Sequence, residues 1–351
     1  MRILVLGGTG AMGEHLVELL SRNGYETFVT TRSKRTSVKG IHYIQGNAHD
    51  FDFLQTMLEE HWDAIVDFMV YTTASFRERI NLLLDATTQY VFLSSSRVYA
   101  DSNGPITETS PRLLDISQDK EYLLTDEYAL TKARQEDLLK KTERKNWTII
   151  RPYITYSENR LQLGVLEKDE WLYRALHGRT IVFSSDISSR LTTLTYGLDV
   201  AKGILAIIGH STALGEAFHI AVNESVTWNK VLSIYLDVLE KKMGYRPKVL
   251  LDDIEPFIEI HPAKYQIIYD RLYDRQFDNS KISQYLDLND FSSIEIGIKK
   301  CLESFFKNRK FNNINWVLEA KKDKLVGERT PLKEILRIKQ KMKYLLYRYI
   351  L

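Results

Sequence analysis

Short apolar runs punctuate the first half of the chain, each closed by a turn and followed by an amphipathic stretch. Arg2-Ile3-Leu4-Val5-Leu6 has branched residues and no polar alternation, the pattern of a strand buried on both faces. Similar runs predict strands at Thr27–Thr31, Ile41–Asn47, Asp63–Val70, Tyr90–Leu93 and Thr148–Ile150, the last stopped at Pro152. Between them, helical spacing runs through Leu16, Leu19 and Leu20, through Phe53, Leu54 and Leu58 with Asp50 as N-cap, from about Phe76 to Ala86, and onward from Thr125-Asp126-Glu127. Strands alternating with helices at this spacing predict an α/β fold built on a doubly wound parallel sheet with right-handed crossovers. Beyond Pro152 the pattern is less regular. Gly178–Val182 suggests a hairpin or edge strand, and Arg190–Thr195 is extended. A helix then opens at Leu198 and a strand lies at Ala217–Val222. A further helix runs from Thr227 to about Gly244.

The first turn carries chemistry. Gly7, Gly10 and Gly13 stand three apart between the opening strand and its helix. That spacing gives a tight turn, a backbone free to approach phosphates, and a helix N-terminus aimed at an anion, as a dinucleotide pyrophosphate requires. The alternative is a plain tight turn. The second strand ends in Arg32-Ser33-Lys34-Arg35 without a carboxylate. An acidic residue there would hold the ribose 2′-hydroxyl of NAD, whereas arginine accommodates the 2′-phosphate of NADP. NADP is therefore favoured, with NAD as the alternative cofactor and a solvated basic loop as the plain reading.

Composition narrows the class. The chain has 351 residues, 44% hydrophobic and 27% charged, ordinary values for a globular protein with two substructures. A net charge of +2 gives no global pull toward nucleic acid, and no such partner is expected. Cys301 is the only cysteine, so no internal disulfide can form, and no His/Asp/Glu cluster has metal-ligand spacing. No secretory leader precedes the first strand and no apolar run reaches membrane-spanning length; a cytoplasmic location is expected. No Gly-x-Ser-x-Gly elbow marks a hydrolase, and His15 and His219 sit on apolar elements as packing residues.

The fifth strand runs into Ser94-Ser95-Ser96, at the carboxyl end where ligands bind in such sheets, and the following helix carries Tyr128 and Lys132 on one face. Hydride transfer at a carbon bearing oxygen needs a proton moved at that oxygen. Tyrosine can move it if a nearby cation draws its pKa, ordinarily near 10, toward neutrality. A strand-end serine can orient the reacting oxygen.

With these residues in place, the chain resembles the extended short-chain dehydrogenase/reductase family, the NAD(P)-dependent epimerases and dehydratases of nucleotide sugars. The resemblance rests on Gly7-xx-Gly10-xx-Gly13, Phe92–Tyr99, Tyr128-xxx-Lys132, Arg151-Pro152, Asp199–Ala201 and Phe218–Ile220, and covers roughly residues 1–305. It implies a Rossmann-type domain over 1–155, with elements from about 190–222 returning to it, and a smaller substrate-binding region over 156–310. Tyr128 would be the acid/base, Lys132 its helper and Ser95 the third catalytic group. Gly7, Thr9, Gly10, Ala11, Met12, Gly13, Arg32, Asn47, Ser94, Tyr128 and Lys132 would hold the cofactor. Ser96, Tyr153 and Arg190 would meet the nucleotide sugar, Arg190 at its diphosphate. Departures narrow the reaction. Dehydratases of the family carry Thr-Asp-Glu where this chain has Ser95-Ser96-Arg97, the 3,5-epimerase/reductases need a cysteine near the serine, and many 4-epimerases have aspartate in place of Thr31. A carbonyl reductase or alcohol oxidoreductase is left first, a 4-epimerase with retained cofactor second. A non-catalytic dinucleotide-binding regulator is the rival of another class, and a two-fold dimer is the family's assembly.

Residues 311–351 form a basic extension. From Thr330 the pattern predicts one helix, with Pro331 in its first turn and an apolar stripe of Leu332, Ile335, Leu336, Met342, Leu345 and Leu346. Lys333, Arg337, Lys339, Lys341, Lys343 and Arg348 oppose a single Glu334. Docking on the protein body is the expectation, and peripheral contact of 330–351 with an anionic membrane the alternative.

Overall fold

A computed structural model describes residues 1–351 and divides them into two compact units. The first comprises Met1–Ser157, Thr193–Ser225 and Arg275–Ile294. Its centre is a seven-stranded sheet of β1 (Arg2–Leu6), β2 (Glu26–Thr31), β3 (Ile41–Gln45), β4 (Trp62–Asp67), β5 (Thr87–Leu93), β6 (Trp147–Pro152) and β7 (Glu216–Ile220). The spatial order is β7-β6-β5-β4-β1-β2-β3, and every neighbouring pair is parallel. This is a Rossmann-type doubly wound sheet. The order reverses at β1, whose register pairs Val5 with Val29 on one side and with Val66 on the other, so a crevice opens at the carboxyl ends there.

The apolar runs form these strands because both faces are covered. Leu4, Leu6, Ile65, Phe92 and Ile149 pack with Phe76 and Leu83 of the helix Thr73–Asp85 in one core. Asp50 caps the helix Phe51–Met57, as the sequence predicts, by accepting from Phe53 N at 3.0 Å. Two strands differ from expectation by three residues at one end. β4 ends at Asp67 rather than Val70, because the Asp67 carboxylate accepts from Met69 N at 2.8 Å and turns the chain. β5 begins three residues early, at Thr87, and its buried Gln89 is satisfied by Thr148 Oγ1 at 3.0 Å and Ile207 O at 3.2 Å.

The second unit comprises Glu158–Thr192, Val226–Asp274 and Glu295–Leu351. The segment expected as a hairpin or an edge strand is an edge strand, Ile181–Ser184, paired in parallel with Val249–Asp252 in a two-stranded sheet. Parallel pairing needs a long connection, which rules out a hairpin. The helix Trp228–Met243 is capped by Thr227 and ends at Gly244 with φ 79°. The single helix expected from Thr330 is also corrected. A short 3-10 turn, Leu332–Glu334, is followed by extended Ile335 and then by the helix Ile338–Tyr349. The break lets Ile335 bury fully against Trp316, Ala320 and Tyr344, while Glu334 accepts from Tyr173 Oη at 2.8 Å and Arg179 at 3.0 Å.

Candidate active site

Four glycines shape the first turn, and their reasons differ. Gly7 has φ 70°, open only to a residue without a Cβ. A Cβ on Gly13 would lie 2.7 Å from the backbone of Gly8, and one on Gly8 would lie 2.7 Å from Val5. Gly10 faces open space, as a position approached by a ligand would. The helix Gly13–Arg22 starts immediately beyond, and the first N–H groups of a helix have no intrahelical acceptor. A fifth glycine completes the arrangement from far along the chain: a Cβ on Gly197 would come within 2.2 Å of Ala11 O. Neither Gly8 nor Gly197 stands out in the sequence.

A cleft of about 280 Å³ continues from this turn. Gly7, Thr9, Arg32, Asn47 and Met69 are among its lining residues, and no carboxylate is among them. Arg32 is exposed at the end of β2, while the Thr31 hydroxyl is turned back to Ser33 O at 3.1 Å. His49 also lines the cleft, and burial together with Arg79 and Arg32 holds its pKa below the usual value. These are the residue types a dinucleotide's pyrophosphate and adenosine ribose require, and they lie where the sheet order reverses.

The three strand-end serines separate into distinct roles. Ser94 is buried and its hydroxyl donates to Glu136 at 2.6 Å. Ser96 is fully buried and donates to Arg151 O at 2.8 Å. The fold itself thus engages the donor hydrogens of both hydroxyls. Ser95 retains 7% exposure, its hydroxyl accepting from Arg97 N at 3.2 Å. Tyr153, expected at the substrate, is 2% exposed and packs on Phe277 with ring centroids 5.3 Å apart, so its ring is a core element. Arg190 belongs to the second unit and is exposed, its carbonyl accepting from Trp228 N at 3.1 Å.

Tyr128 opens the helix Tyr128–Lys141, which Glu127 caps by accepting from Ala129 N at 2.7 Å. One turn on, the Lys132 ammonium lies 6.0 Å from the Tyr128 ring centroid and donates to Leu93 O at 2.6 Å. Burial pulls its pKa down to about 8, against the attraction of Asp67 and Glu136. A second cation, absent from the sequence reading, joins it: the Arg97 guanidinium lies 5.3 Å from the Tyr128 ring and pairs with Glu127. Asp67 was also missed. It is fully buried at the end of β4, accepts from Tyr90 Oη at 2.8 Å, and burial pushes its pKa up to about 6. The visible signal for it was a lone acid inside the apolar run Ala64–Val70.

Beneath the serines, Glu136 takes two hydrogen bonds from Arg151, at 2.8 and 2.7 Å, and one from Arg112 at 3.3 Å, besides that from Ser94. The guanidinium beside it holds the Glu136 carboxyl below the usual range despite complete burial. Arg151 also donates to Tyr99 Oη at 2.9 Å, so one ionic network fixes the strand ends of β5 and β6 and the helix of Tyr128. His219 is packed as expected, with Nε2 2.6 Å from Asp278 O. No group of three metal-ligating side chains is present.

A model of the NAD dependent epimerase/dehydratase family matches residues 3–221. The chain belongs to that family. Ser95, Tyr128, Lys132 and the glycine turn all fall inside the matched region. Epimerase Mth375 from Methanothermobacter thermautotrophicus shares the fold with a TM-score of 0.68 at 16% identity, over 88% of this chain and 92% of that one. UDP-glucuronic acid 4-epimerase from Bacillus cereus, solved with UDP-glucuronic acid and NAD, gives a TM-score of 0.64 at 18% identity, over 88% and 99%. Among curated relatives, the chloroplast stem-loop binding protein of 41 kDa b of Arabidopsis thaliana is 25% identical over 65% of this chain and 60% of that protein. UDP-glucose 4-epimerase of Streptococcus mutans is 28% identical over 32% and 41%. The chain thus spans less than two thirds of the length of these two relatives.

Proposed function

We propose that this member of the epimerase/dehydratase family is an NADP(H)-dependent oxidoreductase acting on a carbonyl or hydroxyl of a nucleotide sugar. The observation that carries the reading is the pair of cations on the Tyr128 ring, one of them Arg97, whose backbone N–H bonds Ser95, in the same unit as the glycine turn. The turn residues Gly7, Thr9, Gly10 and Gly13 would hold the pyrophosphate. Arg32, on a cleft without carboxylates, would take a ribose 2′-phosphate. When bound, the nicotinamide supplies or accepts the hydride.

The protein's part is the proton. Tyr128 gives it to, or takes it from, the substrate oxygen. Lys132 and Arg97 stabilise the negative charge that develops on the tyrosine oxygen when the proton leaves, and Lys132 does so in a site that burial keeps dry. Ser95 hydrogen-bonds the reacting oxygen.

Tyr128→Phe is expected to lower turnover by about 10²–10⁴-fold, the usual weight of general acid–base catalysis, with dinucleotide affinity nearly unchanged. Retained turnover would overturn the mechanism. A 4-epimerase is the second reading, favoured by the named activities of two relatives. Inversion of a UDP-sugar at C4 without net consumption of added NADPH would establish it over the first. The mass of the dinucleotide that co-purifies with the native protein decides between NAD and NADP.

A further inference from the structure

We propose that the C-terminal helix, Ile338–Tyr349, seats the protein on an anionic membrane surface. The helix has two opposite apolar faces, and only one is covered. On the inner face Tyr344 is fully buried, and its hydroxyl donates to Asp323 at 2.7 Å and accepts from Thr330 N at 2.8 Å. Residues two positions either side of Tyr344 point away from it at 3.6 residues per turn. Met342 and Leu346 occupy those positions, and Ile338 and Tyr349 lie on the same outer stripe. These four side chains are 39–75% exposed, and the chain ends beside them in exposed Ile350 and Leu351. No other stretch of this length in the protein exposes as many large apolar groups.

The charges beside that stripe are all of one sign. Lys339 and Lys343 flank one edge of it, Lys341 and Arg348 the other, and no Asp or Glu occurs from Ile335 to Leu351. A helix with an apolar strip between two rows of cations lies in the plane of a bilayer interface, the strip among acyl chains and the cations among anionic headgroups. The helix has twelve residues, too few to cross a bilayer. Pairing with a second copy fits poorly, because two-fold packing of this face would bring lysine rows together with no acid to oppose them. The inner face meanwhile holds the helix to the second unit, so the outer stripe is presented on a fixed support.

The test is flotation of the full-length protein with phosphatidylcholine vesicles, with and without 30% phosphatidylserine, at low and high salt. The wild type is expected to float with the anionic vesicles at least tenfold more than with neutral ones, and to be released by salt. Met342→Glu/Leu346→Glu and, separately, Lys339→Glu/Lys343→Glu are each expected to lower that binding at least tenfold. Circular dichroism and dinucleotide affinity should not change, which separates this result from any failure of the proposed enzyme activity. Absence of the wild type from anionic vesicles, or equal binding to neutral ones, overturns the proposal. So does a wild-type dimer that the Met342/Leu346 variant splits into monomers without any vesicle binding.

Discussion

Lys132 holds a charge where water scarcely reaches, and the consequence can be measured. Its side chain is 2% exposed, and the ammonium lies 4.6 Å from the Phe92 ring. Burial lowers its pKa from 10.5 to about 8. At 1.36 kcal/mol per unit, that gap is ~3 kcal/mol withheld from folding while the group stays charged. The sign follows from proton counting. Below pH 8 both folded and unfolded chains carry the proton, and the full cost is present. Between pH 8 and 10.5 the unfolded chain binds more protons than the folded one, so stability rises with pH. Lys132→Met keeps the apolar stem and removes the charge. Urea unfolding of both proteins from pH 7 to 10.5 is expected to show the wild type gaining ~3 kcal/mol on the variant across that range, with the titration of the tyrosines common to both. A difference that stays flat with pH would show that Lys132 is not desolvated by the fold, and the argument for a dry catalytic lysine would fall with it.

Three other perturbations address the cofactor cleft and its support. Arg32→Asp should weaken NADP(H) binding by about 10–100-fold, the worth of one charge-assisted contact, while NAD(H) binding holds or improves; fluorescence titration of both nucleotides measures this. Gly13→Ala places a Cβ against the Gly8 backbone and should cost ~1–3 kcal/mol in chemical unfolding, along with dinucleotide affinity. Glu136→Leu strands the Arg151 guanidinium, 1% exposed, and should destabilise by ~3–5 kcal/mol. Adding Arg151→Met should recover most of that loss, whereas no recovery would mean the pair was not the source.

What was legible in the sequence was what depends on neighbours along the chain. Buried parallel strands announce themselves as apolar runs, the glycine triplet sits between a strand and its helix, and Tyr128 and Lys132 share a helix face by spacing alone. The sequence could not show which way a strand-end side chain is drawn by a partner far away. Three adjacent serines look equivalent, yet Glu136 claims Ser94 and the Arg151 carbonyl claims Ser96, leaving Ser95. Gly197 matters only because its helix packs on the Ala11 carbonyl, a contact across 186 positions of chain. The second unit was read least well. Its strands are short, and its charged residues look solvated in sequence although several are fully buried.

That last point bears on the C-terminal region, which cannot be treated as a removable tail. Arg174 has no exposure, and three of its partners, Glu319 at 2.9 Å, Asp323 at 2.8 Å and Glu328 at 3.2 Å, lie beyond residue 310. Lys322 donates to Glu319 and to Glu170 O, and Tyr344 and Thr330 close on Asp323. A chain ending at residue 310 keeps only the Arg174 bond to Thr180 O, at 2.7 Å. Truncation removes these ion pairs together with Trp316, Ala320, Ile335 and Tyr344, which pack with Tyr173. Burial of each large apolar side chain contributes ~1.5–3 kcal/mol, a large share of the ~5–15 kcal/mol that holds a domain folded. The truncated chain is therefore expected to lose cooperative unfolding of the second unit and to be cut rapidly by protease. Met342→Glu, on the exposed stripe, should change stability by no more than ~0.5 kcal/mol. Equal melting of the truncated and full-length chains would refute the clasp. It would also mean that the helix presenting the outer stripe is not held in place by Asp323.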